Sequence, residues 1–322
     1  DLINIQSTCR AGNFYVTDLY RRAYSIKRVL SPFFHEDEIG DFRLVQATTG
    51  AIISGSVALQ FFNRECYDTD SHSSDLDTYC HLSRCIDVGN WISSKGYVFQ
   101  PKQNQLPSFF DDWNRVCNTS SNVVVHNTHD YPARFFVAVW NFVRANKTIQ
   151  IIAVRGSLVG AVLSFHSTCV MNIITHCAAY CLFAKPTLID CTSFAFNGRL
   201  THAHSIALCQ KWINRGFTIS HCPSVKDVVC LSSGVSVRHF RWVGDTACRK
   251  MYLEYSPGCT NRDFMESNSW DIHYRKPYPA IESDIFQPIR SLPGVVVARR
   301  ERTELARRYR MLSPSIRAGL LR

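Results

Sequence analysis

The chain has 322 residues, of which 46% are hydrophobic and 12% aromatic, and a formal net charge of +10 at pH 7. That length and apolar share exclude a disordered tail or a small disulfide-stapled module and leave room for a large buried core. The longest apolar runs, "AIISGSVALQFF" and "AVRGSLVGAVLSF", are interrupted by Gly, Ser or Arg, which argues against a bilayer-spanning helix and for no membrane partner.

Helical patterning opens the chain. In "YVTDLYRRAYSIKRVLSPFF", Val16, Leu19, Tyr20, Ala23, Ile26, Val29 and Leu30 recur at three- and four-residue steps until Pro32. A second short helix is expected over 37–46. "AIISGS" then reads as a buried strand stopping at Gly55, and "SVALQFFNR" as a helix with Ser56 near its N-terminus. A polar loop, "ECYDTDSHSS", leads into a strand that carries Asp75 and Asp77.

Further on, "IDVGNWISSKGY" predicts a helix with Ile86, Trp91 and Ile92 in the core and Gly96 at its end. Residues 100–130 carry the strongest loop signals. "FFVAVWNFVR" and "TIQIIAV" predict a β-hairpin joined by "ANK". "GSLVGAVLSFHSTCVMNIIT" has helical spacing, and "THAHSIALCQKWINRGF" reads as a helix closed by Gly216. Short strands ("DVVCLSS", "VSVRHFRWV") and Pro-rich linkers near 277–293 fill the last third. Met171, Trp212 and Trp242 read as core anchors.

Fourteen cysteines run from Cys9 to Cys259 without a C-x-x-C pair. No basic-then-apolar leader opens the sequence, so the expectation is an intracellular protein, cytoplasmic or nuclear, with reduced, buried thiols. Cys177, Cys181 and Cys191, near His166 and His176, match no standard zinc spacing. His166, Ser167 and Cys169 fall on core-like spacing, and His202 and His204 read as helix-opening residues. From Val297 to Arg322 there are eight Arg and two Glu, which supply six of the ten net charges. That tail reads first as a solvated basic helix and alternatively as a contact for nucleic acid or an acidic partner; it lacks the aromatic interleaving that suits base stacking.

Three features stand in order: a strand ending at Gly55-Ser56, a helix, and a strand carrying Asp75-x-Asp77. Residues two apart on a strand project to the same face. Two ionised carboxylates there repel each other, and a cation relieves that repulsion. Hard oxygen ligands suit Mg²⁺ or Mn²⁺, which also hold substrate phosphates. A Gly-Ser turn opening a helix offers unpaired N–H groups, a hydroxyl and the positive end of the helix dipole to a phosphate. The alternative is structural: Asp75 capping the start of the strand and Asp77 paired with Arg64 or Arg84.

The segments "ISGS" at 53–56 and "SDLDTY" at 74–79 resemble the nucleotidyltransferase superfamily of DNA polymerase β type. Together with "FHSTCVMN", they are similar to its divergent branch in filamentous fungi, over roughly residues 45–190. The resemblance implies an α/β (α+β) fold, with a nucleotidyltransferase-like mixed sheet, flanking helices and an irregular C-terminal portion. It divides the chain into N-terminal helices at 1–44, a core at 45–160, an α+β portion at 161–296 and the basic tail at 297–322. It implies that Gly55, Ser56 and Ser74 hold nucleotide phosphates while Asp75 and Asp77 ligate the metal. The implied reaction is nucleotidyl transfer from a nucleoside triphosphate to an acceptor hydroxyl, the acceptor being undefined.

Two departures from the pattern stand out. Eighteen residues separate Ser56 from Asp75, more than the superfamily usually has. The third carboxylate belongs on "TIQIIAV", where the polar residue is Gln150. An amide oxygen can ligate a metal but brings no charge and accepts a proton poorly. The expectation is therefore a weakened or inactive enzyme, or a non-catalytic nucleotide-sensing or protein-interaction module on the same fold. Asp130, Asp190 and the pair Asp111-Asp112 are the other acids that could substitute.

Overall fold

A computed structural model describes residues 2–65, 75–119, 135–194, 209–220, 234–235, 241–253, 263–271 and 287–289. The apolar spacing near the N-terminus becomes helices α1 (Leu2–Thr8), α2 (Arg10–Ala23) and α3 (Ile26–Leu30). Next, α4 (Glu36–Thr49) begins with three acidic residues at the positive end of its dipole and closes at Gly50. β1 (Ile52–Ile53) leads into α5 (Gly55–Asn63), β2 (Leu76–His81), α6 (Cys85–Ser94) and β3 (Val98–Gln100).

The long hairpin is present as β4 (Phe136–Arg144) and β5 (Lys147–Val154), after a helix, α7 (Phe109–Asn118). That helix lies inside the stretch expected to be loop. Ser108 caps it by accepting from Asp111 N, and Phe109, Asp112 and Val116 are its buried residues. Its N-cap and acidic first turn were readable signals that the neighbouring Pro, Asn and Gln residues obscured.

The run from 156 to 175 is not one helix. It divides into α8 (Leu158–Leu163), a 3-10 turn at Thr168–Val170 and β6 (Asn172–Ile174), because both faces are buried and apolar periodicity cannot separate a buried helix from a buried strand. β7 (Ala178–Cys181), α9 (Ala184–Leu188), β8 (Thr192–Phe194), β9 (Thr218–Ser220), β10 (Arg241–Trp242), β11 (Arg249–Tyr252), β12 (Ser269–Asp271) and β13 (Gln287–Ile289) complete the set. No helix among the described residues is long and apolar enough to cross a membrane. The basic tail at 297–322, Asp130, His202 and His204 lie outside the described residues.

The fold is mixed α/β. Its central sheet has eight strands in the order β11-β7-β6-β1-β2-β5-β4-β3. Every pairing in it is antiparallel except β2 with β5. The sheet does not stop at residue 160, the boundary expected for the core: β6, β7 and β11 extend it on the β1 side. One face packs Phe33, Phe34, Phe42, Ile92, Phe109 and Trp140 from the helices and the hairpin. The opposite face is covered around Tyr79, Ile152, Val139, Phe136 and Phe165 by α8 and by segments from the last third of the chain.

Polar residues lock these layers together. Arg144, at the end of β4, pairs with Glu38 of α4 at 3.1 Å, and its guanidinium lies 4.5 Å from the Tyr97 ring centre. Buried Asp112 accepts from Trp140 Nε1 at 2.7 Å and from Leu106 N at 2.9 Å, which fastens α7 beneath β4. In the last third, buried Arg241 pairs with Asp245 and donates to the carbonyls of Gly234 and Leu182, both at 2.6 Å. Trp212 is buried, Met171 is fully buried, and Trp242, expected in the core, is partly exposed because β10 is a short strand beside β12. Cys80, Cys85, Cys169 and Cys181 are buried free thiols, as expected, whereas Cys177 is disulfide-bonded.

Candidate functional site

Gly55 opens α5, one residue earlier than the sequence suggested, with Ser54 as the extended N-cap. Ser54 N donates to the Asp77 carbonyl at 3.2 Å, and its hydroxyl donates to the Asn172 carbonyl at 2.5 Å. With that hydroxyl committed to β6, the Ser54 side chain does not cap the helix, whose opening N–H groups therefore lack the usual capping partner. Gly55 has φ +72°, and a Cβ built on it would lie 2.6 Å from Asp77 Oδ2. The backbone therefore approaches the carboxylate more closely than any side-chain-bearing residue permits.

The single parallel pairing sets the rest of the site. β2 and β5 run the same way with Asp77 opposite Gln150, so the acid pair at the start of β2 sits beside Gln150 in the middle of β5. Gln150 Nε2 donates to Asp75 Oδ2 at 3.3 Å. Asp75 lies just before the strand, and it, Asp77 and Ser56 are partly exposed, hence reachable from solvent. Ser74 lies outside the described residues. Neither arginine of the structural alternative is seen to pair with Asp77: Arg84 pairs with Asp87 at 3.5 Å, and Arg64 lies over the Tyr24 ring.

Electrostatics at the site are unbalanced. Burial, reinforced by the Asp75 charge, pushes the Asp77 carboxyl up to about 7 against the opposing pull of Lys211. Burial also raises Asp75, with Lys211, a Thr148 hydrogen bond and Lys102 acting the other way. Lys211 is itself lowered by burial and by Arg215, while Asp77 and Asp75 act to raise it. Lys211, Lys102, Thr148 and Asn141 gave no signal as site residues in the sequence, because only the fold brings them to the acid pair.

The donor set suits a hard divalent cation. Two carboxylates raised by burial gain from one, and Asn141 Oδ1, opposite Gln150 on β4, is buried with no hydrogen-bond partner among the described residues. No group of three or more His, Cys, Asp or Glu able to hold a metal occurs among the described residues. Two carboxylates would be a number that fits Mg²⁺, which takes its remaining positions from water and phosphates. The other acids are engaged elsewhere: Asp190 with Lys185 at 2.6 Å and Asp112 with Trp140 on the opposite face of the sheet.

Other sequence candidates have structural roles. His166 Nε2 accepts from Trp212 Nε1 at 3.1 Å, and Ser167 and Cys169 are fully buried, the Cys169 thiol being pushed up to about 11 by burial. Fold and site together define a mixed α/β protein with an acid pair beside a glycine-opened helix. No family model, curated protein or solved structure matches the chain.

Proposed function

We propose that this is a nucleotidyltransferase-like protein that binds a nucleoside triphosphate with Mg²⁺ or Mn²⁺ and transfers its nucleotidyl group weakly. The observation that carries the reading is the approach of Gly55 to Asp77, with a built Cβ only 2.6 Å from Oδ2. It brings an uncapped helix N-terminus against a carboxylate pair, so phosphate and cation sites adjoin. Gly55 and Ser56 would hold the phosphates, and Asp75 and Asp77 the cation. When bound, the cation supplies Lewis-acid stabilisation of charge on the phosphoryl oxygens. Lys211, which faces both carboxylates, adds positive charge for a polyphosphate. Gln150 fixes Asp75 by a hydrogen bond but cannot take a proton from the acceptor hydroxyl, which is why the activity is weak.

A second reading, a binding-only nucleotide sensor, is favoured by that same amide. Titration calorimetry with ATP or CTP and Mg²⁺ tests binding for both readings. Absence of binding, or binding unchanged in Asp75→Ala/Asp77→Ala, rejects them together. Incubation with α-labelled triphosphate and bulk RNA or protein separates them: labelling by the native chain supports transfer, and labelling only by Gln150→Asp supports the sensor.

A further inference from the structure

The polar line does not end at Gln150. β5 places Gln150 opposite Asn141 of β4, and β4 places Asn141 opposite Gln100 of β3. Residues in register project to one face, so Asp77, Gln150, Asn141 and Gln100 form a row across four adjacent strands. At about 4.8 Å per strand the row runs about 14 Å from Asp77 to the edge of the sheet. Exposure rises along it: Asn141 is partly exposed and Gln100 exposed. Beside it runs a second row, Thr148, Val143 and Val98, in which Val98 is 67% exposed.

Amide side chains in mid-sheet are unfavourable unless bonded, and Asn141 Oδ1 has no partner among the described residues. The row has direction as well as chemistry. β1 and the α5 N-terminus lie on one side of β2, and β5, β4 and β3 on the other. If α5 takes the phosphates, the group that receives the nucleotidyl unit approaches from the opposite side, over the amides.

The geometry points to an acceptor subsite on this shelf, built for an uncharged, hydroxyl-rich ring such as a saccharide. It rests on the nucleotidyl-transfer reading above for its role, though not for binding itself. Each amide offers two donors and an acceptor, which match the mixed donor–acceptor character of sugar hydroxyls. Val143 and Val98 supply an apolar strip for the C–H face of the ring. The row itself carries no Lys or Arg, and the nearest cations, Lys211 and Lys102, act on the acid pair, so the amides offer no phosphate contacts of the kind a nucleic-acid acceptor calls for. In the transfer, an acceptor oxygen bonds to the α-phosphorus as the bond from that phosphorus to the bridging oxygen breaks. Pyrophosphate departs with the electron pair, and the acceptor proton passes to water.

Saturation-transfer NMR on the full chain tests the subsite, with maltotriose, chitotriose and lactose as probes at millimolar concentration. The expected result is transfer to at least one saccharide, reduced at least fivefold in Gln100→Leu and in Asn141→Leu and unchanged in Asp87→Asn, an exposed acid on α6 that pairs with Arg84. Gln100 is exposed, so its variant folds whatever becomes of Asn141→Leu, and circular dichroism checks both. Absence of transfer to all three sugars overturns the subsite, as does a twelve-nucleotide oligoribonucleotide that binds in their place and is lost in Gln100→Leu. Saccharide transfer without any Mg²⁺–ATP binding would remove the nucleotidyl-transfer reading and leave the shelf standing; the reverse pattern would remove the shelf alone.

Discussion

Gly55 and Asp77 occupy space that only a glycine could share: a Cβ on Gly55 would lie 2.6 Å from Asp77 Oδ2, and the backbone there has φ +72°. Gly55→Ala meets both obstacles. A left-handed conformation disfavours a side-chain-bearing residue by about 1–2 kcal/mol, and displacement of the carboxylate adds to that. Urea unfolding should show a loss of at least that size, and calorimetry a loss of Mg²⁺–ATP binding. A variant as stable as the native chain that binds equally well would refute the close approach.

The raised Asp77 carboxyl has a pH consequence. Its folded value, about 7, lies above its unfolded value, so the folded state holds the proton more tightly between the two. Stability from this group is present in acid and is lost as pH rises from about 4 through 7. Asp77→Asn removes the ionisation, and its advantage over the native chain should grow from pH 5 to pH 8 in thermal melts without metal. Addition of Mg²⁺ at pH 8 should raise the native melting temperature and leave that of Asp77→Asn unmoved. Parallel stability–pH curves for the two proteins would count against this assignment.

Gln150→Asp places a third carboxylate opposite Asp77. Three acids repel one another without a counter-charge and reward one that is bound. The variant should be less stable than the native chain in metal-free buffer and bind Mg²⁺ about tenfold more tightly, by about 1.4 kcal/mol. Calorimetric titration of Mg²⁺ alone measures this, and an unaltered affinity would show that Gln150 does not face the cation position.

Away from the site, Arg241 and Asp245 form a buried ion pair at 2.5 Å, with the Trp270 ring centre 4.9 Å from the guanidinium. Asp245→Ala leaves that charge buried beside two carbonyls and should cost about 3–5 kcal/mol. The double change Arg241→Met/Asp245→Leu should recover much of the loss, since it removes the stranded charge. Denaturant midpoints for the two variants decide the matter: equal losses would mean that packing, not charge, sets the effect.

Much of the architecture was legible in the residues. The strand–turn–helix at 52–63, the strand after Asp75 and the hairpin at 136–154 all fall where alternation, three- and four-residue spacing and glycine placement put them. Local chemistry suffices there, because turn residues mark the ends of each buried run: Gly50 and Gly55 around β1, and Ala145-Asn146 between β4 and β5. It fails from 157 to 181, where nearly every residue is buried and a helix, a turn and two strands share one apolar composition. The limits of the sheet were also beyond local reading, since β6, β7 and β11 join it through pairings far apart in sequence.

The candidate site divides in the same way. The sequence by itself determined that Gly55 stands between a strand and a helix and that Asp75 and Asp77 lie two apart; that these belong together was what the resemblance implied, and the structure brings Gly55 against Asp77. Only the tertiary structure decided that Gln150 pairs with Asp77, that Lys211 opposes the two carboxylates, and that Asn141 and Gln100 continue the row to the sheet edge. Spacing along the chain fixes which residues share a face. Strand register, set by the whole buried core, fixes which faces meet.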